Sequence, residues 1–195
     1  MVVQDDKFQF IEILLNRSCR NDTKCRFHAL LILRIMDMIS GMTGENFSRK
    51  YMIRRLSEEE RQAALDLAWA VFSEYESPDY SAEGTEEFRK CLHDEEYLRG
   101  LQYYGAFDGG KLIGEIAIRP EKLHICFFFV DGRYHRLGIG TKMFRRLLED
   151  YPGETITLNS SPYGLPFYKA IGFVPTDEEK IVNGIRFTPM KYDCK

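Results

Sequence analysis

Residues 127–141 read Phe-Phe-Phe-Val-Asp-Gly-Arg-Tyr-His-Arg-Leu-Gly-Ile-Gly-Thr, an apolar run, a polar turn, and then Gly138 and Gly140 on either side of Ile139. Leu123 to Val130 is apolar apart from His124, which predicts a strand covered on both faces. Beyond the glycines, Ile139, Met143, Leu147 and Leu148 recur at helical spacing until Pro152-Gly153 ends the pattern. A strand, a loop and a glycine-opened helix have a chemical consequence. Glycines let backbone approach an anion closely, and the first amides of a helix have no internal partner. With the helix dipole they form a cradle for a pyrophosphate. Arg133, Arg136 and Lys142 add local positive charge. Such glycines also serve packing or turn geometry, so the motif alone is not specific. A dinucleotide fingerprint fits poorly, because Met143 stands where its third glycine belongs, and no Gly-Lys-Ser/Thr follows to make a nucleotide phosphate loop.

A second stretch, Leu158-Asn159-Ser160-Ser161-Pro162-Tyr163-Gly164-Leu165-Pro166-Phe167-Tyr168-Lys169-Ala170-Ile171-Gly172-Phe173, follows downstream. Its F-Y-K-A-I-G-F, paired with the loop above, resembles the GCN5-related N-acetyltransferase (GNAT) family over about residues 52–195. The resemblance implies a V-shaped opening between two parallel strands, here those ending at Val130 and Leu158, with acetyl-CoA lying in it. The pantetheine arm would pair with backbone at Phe128, Phe129 and Val130, and the pyrophosphate would sit on amides of Arg136, Leu137, Gly138, Ile139, Gly140 and Thr141. Asn159 and Tyr168 are assigned to the same cofactor site, and no metal is implied. The family pattern Q/R-x-x-G-x-G/A falls on His135 to Gly140, so His135 departs from the usual Gln or Arg. The binding there uses mainly backbone, which limits the consequence of that departure.

Working outward, Ile53 to Leu56 predicts a first strand. Ser57 and Glu60 form a capping box ahead of Leu65, Ala68, Trp69 and Phe72 at helical spacing. Ser77-Pro78-Asp79 breaks that helix, and Glu83 to His93 forms another. Tyr103–Phe107 and Leu112–Ile118 are strands joined by a turn at Asp108-Gly109-Gly110. Thr155–Leu158 is a strand, Ser161–Ile171 holds a short helix stopped by Gly172, and Ile181 to Tyr192 closes as a hairpin around Asn183-Gly184. The order β-α-α-β-β-β-α-β-α-β-β gives an α+β class. Under the resemblance it is the GNAT-like acyl-CoA N-acyltransferase fold: a central mixed, mostly antiparallel sheet flanked by helices.

Catalysis requires a deprotonated amine, a stabilised oxyanion and a protonated leaving thiol. In similar proteins the tyrosine of F-Y-x-x-x-G-F reaches the CoA sulfur, which makes Tyr168 the candidate general acid. Its helix is expected to place Phe167 and Ile171 on the core face and turn Tyr168 elsewhere. A core tyrosine with a satisfied hydroxyl is the competing reading. Glu115, a carboxylate inside the apolar strand Ile113 to Ile118, is the leading candidate base, against the alternative of a strand residue facing solvent. His124 reads as a structural histidine. Cys126 lacks a partner base, so direct attack in a ternary complex is preferred over an acetylated enzyme.

Composition bounds the rest. The chain has 195 residues, net charge −3, 44% hydrophobic and 29% charged residues, one domain's worth of globular sequence. That charge argues against nucleic-acid binding, and no apolar stretch approaches a membrane span. Five cysteines without repeated spacing do not form a disulfide framework and fit a reducing, cytoplasmic home. Residues 1–51 carry net +2 against −5 for 52–195, lack the family pattern, and read as a partly helical extension carrying the apolar run Phe27 to Ile39. The expected division is therefore an extension, 1–51, and an acetyltransferase domain, 52–195, with Met52 a candidate start of translation. Cys19, Cys25 and His28 match no zinc spacing. Residues 73–96 hold nine acids and two bases, which predicts attraction of a cationic amine unless the charges only solvate a helix face. The expected partners are acetyl-CoA and an amine acceptor, and similar proteins are often homodimers. A non-catalytic acetyl-CoA-binding module on the same fold and an interaction protein working through 1–51 are the other readings.

Overall fold

The computed structural model describes residues 51–194. The readings of Cys19, Cys25, His28 and the apolar run Phe27 to Ile39, and of the extension up to residue 50, lie outside the described residues. Eight strands form one sheet in the order β1-β2-β3-β4-β5-β8-β6, with β7 added to β8. They are β1 Met52–Arg55, β2 Gln102–Asp108, β3 Lys111–Arg119, β4 His124–Val130, β5 Thr155–Ser160, β6 Val174–Pro175, β7 Lys180–Val182 and β8 Ile185–Asp193. Among the described residues the α-helices are α1 Arg61–Tyr75, α2 Ala82–Cys91, α3 Glu95–Leu98, α4 Ile139–Asp150 and α5 Leu165–Ala170.

Local chemistry sets these boundaries. Glu60 accepts from the Ser57 amide at 3.0 Å and from Arg54 at 2.7 Å, closing the capping box ahead of α1. Gly109 and Gly110, at φ 56° and 87°, supply the two left-handed residues of the β2–β3 turn. Two elements were absent from the sequence expectation. One is α3, a single turn capped by Asp94 through the amides of Glu96 and Tyr97. The other is β6, only two residues long.

The sheet is covered on both faces, and the alternation of β4 serves both. Phe127 and Phe129 pack with Leu65, Ala68, Val71 and Phe72 of α1. Phe128 and Val130 pack toward Met143, Phe144 and Leu147 of α4 on the other face. Pairing of β4 with β3 runs Ala117–Phe127 and then Ile118–Ile125, so Cys126 has no opposite residue and the strand bends there. The bend bears on the site. Parallel strands β4 and β5 pair only through His124–Thr157 and Ile125–Leu158, whereas β5 pairs with β8 along its whole length from Thr155 to Ser160. Beyond Ile125 the two central strands separate. Their gap opens toward the C-terminal ends of β4 and β5, where open sheets present ligand sites.

Candidate active site

A cleft of about 590 Å³ occupies that gap, lined by Phe128, Val130, the loop residues Tyr134 to Arg136 and Gly138 to Thr141, and Phe167 and Tyr168 of α5, whereas Leu137 does not line it. Backbone groups dominate its upper end. Gly138 caps α4 at φ 74°, a left-handed conformation that side chains disfavour. The first helical hydrogen bond is Lys142 N to Gly138 O at 3.1 Å, leaving the amides of Ile139, Gly140 and Thr141 without acceptors inside the helix. Arg136, at φ 61°, is a non-glycine residue in left-handed backbone and lines the cleft. The Leu137 amide already donates to Tyr134 O at 3.4 Å, and its side chain is 45% exposed.

The two glycines have different physical reasons. A Cβ on Gly138 would meet nothing within 4 Å, so only its φ requires glycine. A Cβ on Gly140 would stand 2.9 Å from the Phe167 ring. Close packing of α4 on α5 therefore requires the second glycine. Of the three loop cations, Arg133 is bound to Asp131 through Nε at 3.0 Å, and this pairing lowers the Asp131 pKa to about 2. Lys142 lies over the Tyr51 ring at 5.7 Å. Arg136 is the one that lines the cleft.

His135, the departure from the motif, has its own task. Its Nε2 donates to the Val130 carbonyl at 2.7 Å, and its ring packs 4.9 Å from Tyr75. Just past β4, Asp131 N–H donates to Ile113 O of β3 at 2.9 Å. By antiparallel alternation, Phe128 and Val130 turn their peptide groups toward the gap. The imidazole takes the Val130 carbonyl, leaving the Phe128 groups and the Val130 amide on that edge.

A second recess, about 320 Å³, adjoins the cleft, and the two share Glu76, Phe128, Phe129 and Tyr168. Tyr168 departs from its expected orientation. The residues of α5 and its C-cap packed on the core are Leu165, Tyr168 and Ile171, whereas Phe167 faces the cleft and abuts Gly140. Spacing of three residues makes the first set one face of the short helix. Tyr168 serves both purposes, since its ring lies 5.6 Å from Phe173 in the core while it lines both cavities. Burial, with Glu76 and Glu115 nearby, pushes its phenol above the usual tyrosine range, so it stays protonated.

Glu115 and Glu76 are both raised by burial, in different places. Glu115 is 0% exposed, neither carboxylate oxygen has a hydrogen-bond partner, and it lines neither cavity. It sits on β3 opposite Gly105 and Phe129, with burial pushing its pKa well above the usual carboxylate range. Glu76 follows α1 at the junction of cleft and recess. Burial raises its pKa to about 7, opposed by a hydrogen bond with Ser161 and aided by Asp79. Sequence reasoning counted Glu76 only as one of nine acids. The signal that sets it apart is its place immediately before the Ser77-Pro78 break. Asn159 lines the recess rather than the cleft. His124 also faces the recess, with Nδ1 2.9 Å from Thr157 Oγ1 and a pKa lowered by burial and by Lys122 and Arg119. Burial pushes the Cys126 thiol up, which opposes thiolate chemistry.

Residues 76–194, more than half of the chain, match the acetyltransferase (GNAT) domain family. The chain belongs to the GNAT family. Among solved structures, this GNAT domain is similar to a GCN5-related N-acetyltransferase from Rhodopseudomonas palustris, at 20% identity and TM-score 0.62 over 73% of this chain and 95% of that one. It is likewise similar to the PaiA N-acetyltransferase from Thermoplasma acidophilum in complex with coenzyme A, at 20% identity and TM-score 0.57 over 74% and 99%. Escherichia coli ElaA aligns at 19% identity and TM-score 0.54 over 74% and 100%. These likenesses establish the fold. No curated protein matches the chain. Among the described residues, no helix of the GNAT domain is long and apolar enough to cross a membrane.

Proposed function

We propose that the protein is an acetyl-CoA-dependent N-acetyltransferase that acts on a primary amine by direct attack in a ternary complex. One observation carries the reading: the cleft and the recess meet at two groups suited to proton transfer, Glu76 and Tyr168. Bound acetyl-CoA supplies a thioester carbonyl as electrophile and a thiolate as leaving group. The Ile139, Gly140 and Thr141 amides, with Arg136, hold its pyrophosphate. The Phe128 peptide groups and the Val130 amide hold the pantetheine arm, while His135 fixes the edge by occupying the Val130 carbonyl.

The proton balance assigns the remaining roles. An amine enters as an ammonium, and Glu76 takes one proton, either directly or through water, to give the nucleophile. As the nitrogen–carbon bond forms and the carbon–sulfur bond breaks, the sulfur gains a proton and the nitrogen loses its second. That second proton passes through water to restore the phenol that protonates the sulfur, while Glu76 returns the first proton to solvent. Tyr168, protonated and beside that junction, donates to the departing sulfur. Glu115 is a weaker base candidate than Glu76, because it reaches neither cavity.

The test is thiol release from acetyl-CoA against chemically diverse amines, with calorimetry of acetyl-CoA binding alongside. Saturable release with at least one amine supports transfer. Tight acetyl-CoA binding without release to any amine supports the non-catalytic module instead.

A further inference from the structure

The recess that adjoins the cleft has aromatic walls. Phe72 stacks on Phe88 at 3.9 Å, and Tyr80, Phe127, Phe129 and Phe187 complete this part of the lining. Among the described residues, only two carboxylates reach it, Glu76 and Glu87, although nine acids lie in that part of the chain. Glu87 already has partners, Lys90 at 3.7 Å and Asn183 Nδ2 at 3.3 Å. No lysine or arginine of the described residues lines the recess, and burial disfavours the charged form of its histidine, His124. The neighbouring Arg119 is committed to the carbonyls of Tyr97 at 2.5 Å and Arg99 at 3.4 Å, and to Glu121.

Building on the acetyl-transfer reading, we propose that the acceptor is a small monoamine with an aromatic body and no anionic group. The body fills the aromatic recess, and its single ammonium meets Glu76 at the junction with the cleft. Four features select this class. An ammonium needs a carboxylate on the thioester side of the recess, and Glu76 is there. A polyamine carries further ammonium groups, for which the lining holds only the already partnered Glu87, and burying them is costly. A free amino acid brings a carboxylate to a lining without lysine or arginine, where Glu87 repels it. The volume, about 320 Å³, is at the small end for a ligand pocket and matches one ring with a short chain.

The decisive comparison uses the full chain, acetyl-CoA and four acceptors: 2-phenylethylamine, L-phenylalanine, spermidine and a short lysine peptide. L-Phenylalanine has the same ring and amine with one added carboxylate, so it isolates the absence of a cation. The expected kcat/KM for 2-phenylethylamine exceeds that of each other acceptor by about 10²-fold or more, as for a buried group left unpaired. Phe88→Ala should lower kcat/KM for 2-phenylethylamine about tenfold, as when a hydrophobic contact is lost, and leave acetyl-CoA affinity unchanged. Equal or better turnover of spermidine, L-phenylalanine or the lysine peptide overturns the acceptor class and leaves acetyl transfer standing. Silence with every amine, with acetyl-CoA bound, overturns the transfer reading and the acceptor class together.

Discussion

The cleft and the recess share a border but are made of different material. The cleft is lined at its upper end by peptide groups: helix-start amides at Ile139, Gly140 and Thr141, and strand-edge groups at Phe128 and Val130. The recess is lined by side chains from α1, α2, β4, the segment leading into α5 and the β7–β8 hairpin. A backbone-built site imposes local demands, such as a left-handed cap or a glycine where an aromatic ring closes in. A side-chain site assembled from distant segments imposes none on any one of them. This difference suits one half of the site to a constant ligand and leaves the other half free to vary in chemistry.

The largest expected effect is at the border. Tyr168→Phe removes only a hydroxyl, so turnover should fall about 10²–10⁴-fold, the usual contribution of general acid catalysis, with acetyl-CoA affinity nearly intact. Rapid-quench measurement of the acetyl-transfer step checks it, and an unimpaired rate would assign Tyr168 to packing alone.

On the cleft side, Gly138→Val forces a β-branched residue into a φ of 74°. The strain should cost about 1–2 kcal/mol locally. Calorimetry should read this as about a tenfold weaker acetyl-CoA affinity, with the recess unaffected. Unchanged affinity in a folded variant would detach the glycine from the anion cradle.

How much of this was legible follows from the same contrast. The strand–loop–helix at 127–141 and the hairpin at Gly109-Gly110 could be read directly, because their function is tied to local backbone geometry. Glu76 could not be distinguished from Glu74 or Asp79, since its burial and its bond to Ser161 arise only when α1 ends against the segment leading into α5. Tyr168 was found through the family pattern, but its face was misjudged because a six-residue helix with two cavity-facing sides has no single core stripe. Glu115 looked poised for chemistry because an acid in an apolar strand is conspicuous; the cavity geometry lies elsewhere. The turn α3 was legible in principle through Asp94, with Glu95 and Glu96 completing an acidic first turn.

Glu115→Gln sharpens the distinction between a buried acid and a reacting one. Its pKa is raised on folding, so its contribution to stability is fully present below the unfolded value of 4.5 and is lost as pH rises through the folded value. In denaturant melts the Gln variant should flatten the loss of stability that sets in above about pH 5, with turnover unchanged. A large drop in turnover would return Glu115 to the proton path.

The smallest expected effect concerns the boundary at Met52. Residues 52–195 should melt near the full chain and bind acetyl-CoA as well, since among the described residues every buried member of both core clusters lies in this part. The truncation removes Tyr51, whose ring packs on Tyr134 at 6.2 Å, so a fragment beginning at Tyr51 is the matched control. Loss of solubility or of binding in both fragments would make the preceding segment part of the fold.

Glu76 is the central assignment, the proton acceptor where cleft and recess meet, and the pH dependence of kcat/KM reads that group in the free enzyme. For the native chain, kcat/KM should rise with pH through an ionisation near 7, because burial holds the Glu76 carboxyl protonated below that point. In Glu76→Gln that limb should disappear and the remaining rate should follow only the ionisation of the amine. The same limb in both proteins would contradict the assignment and place the base elsewhere.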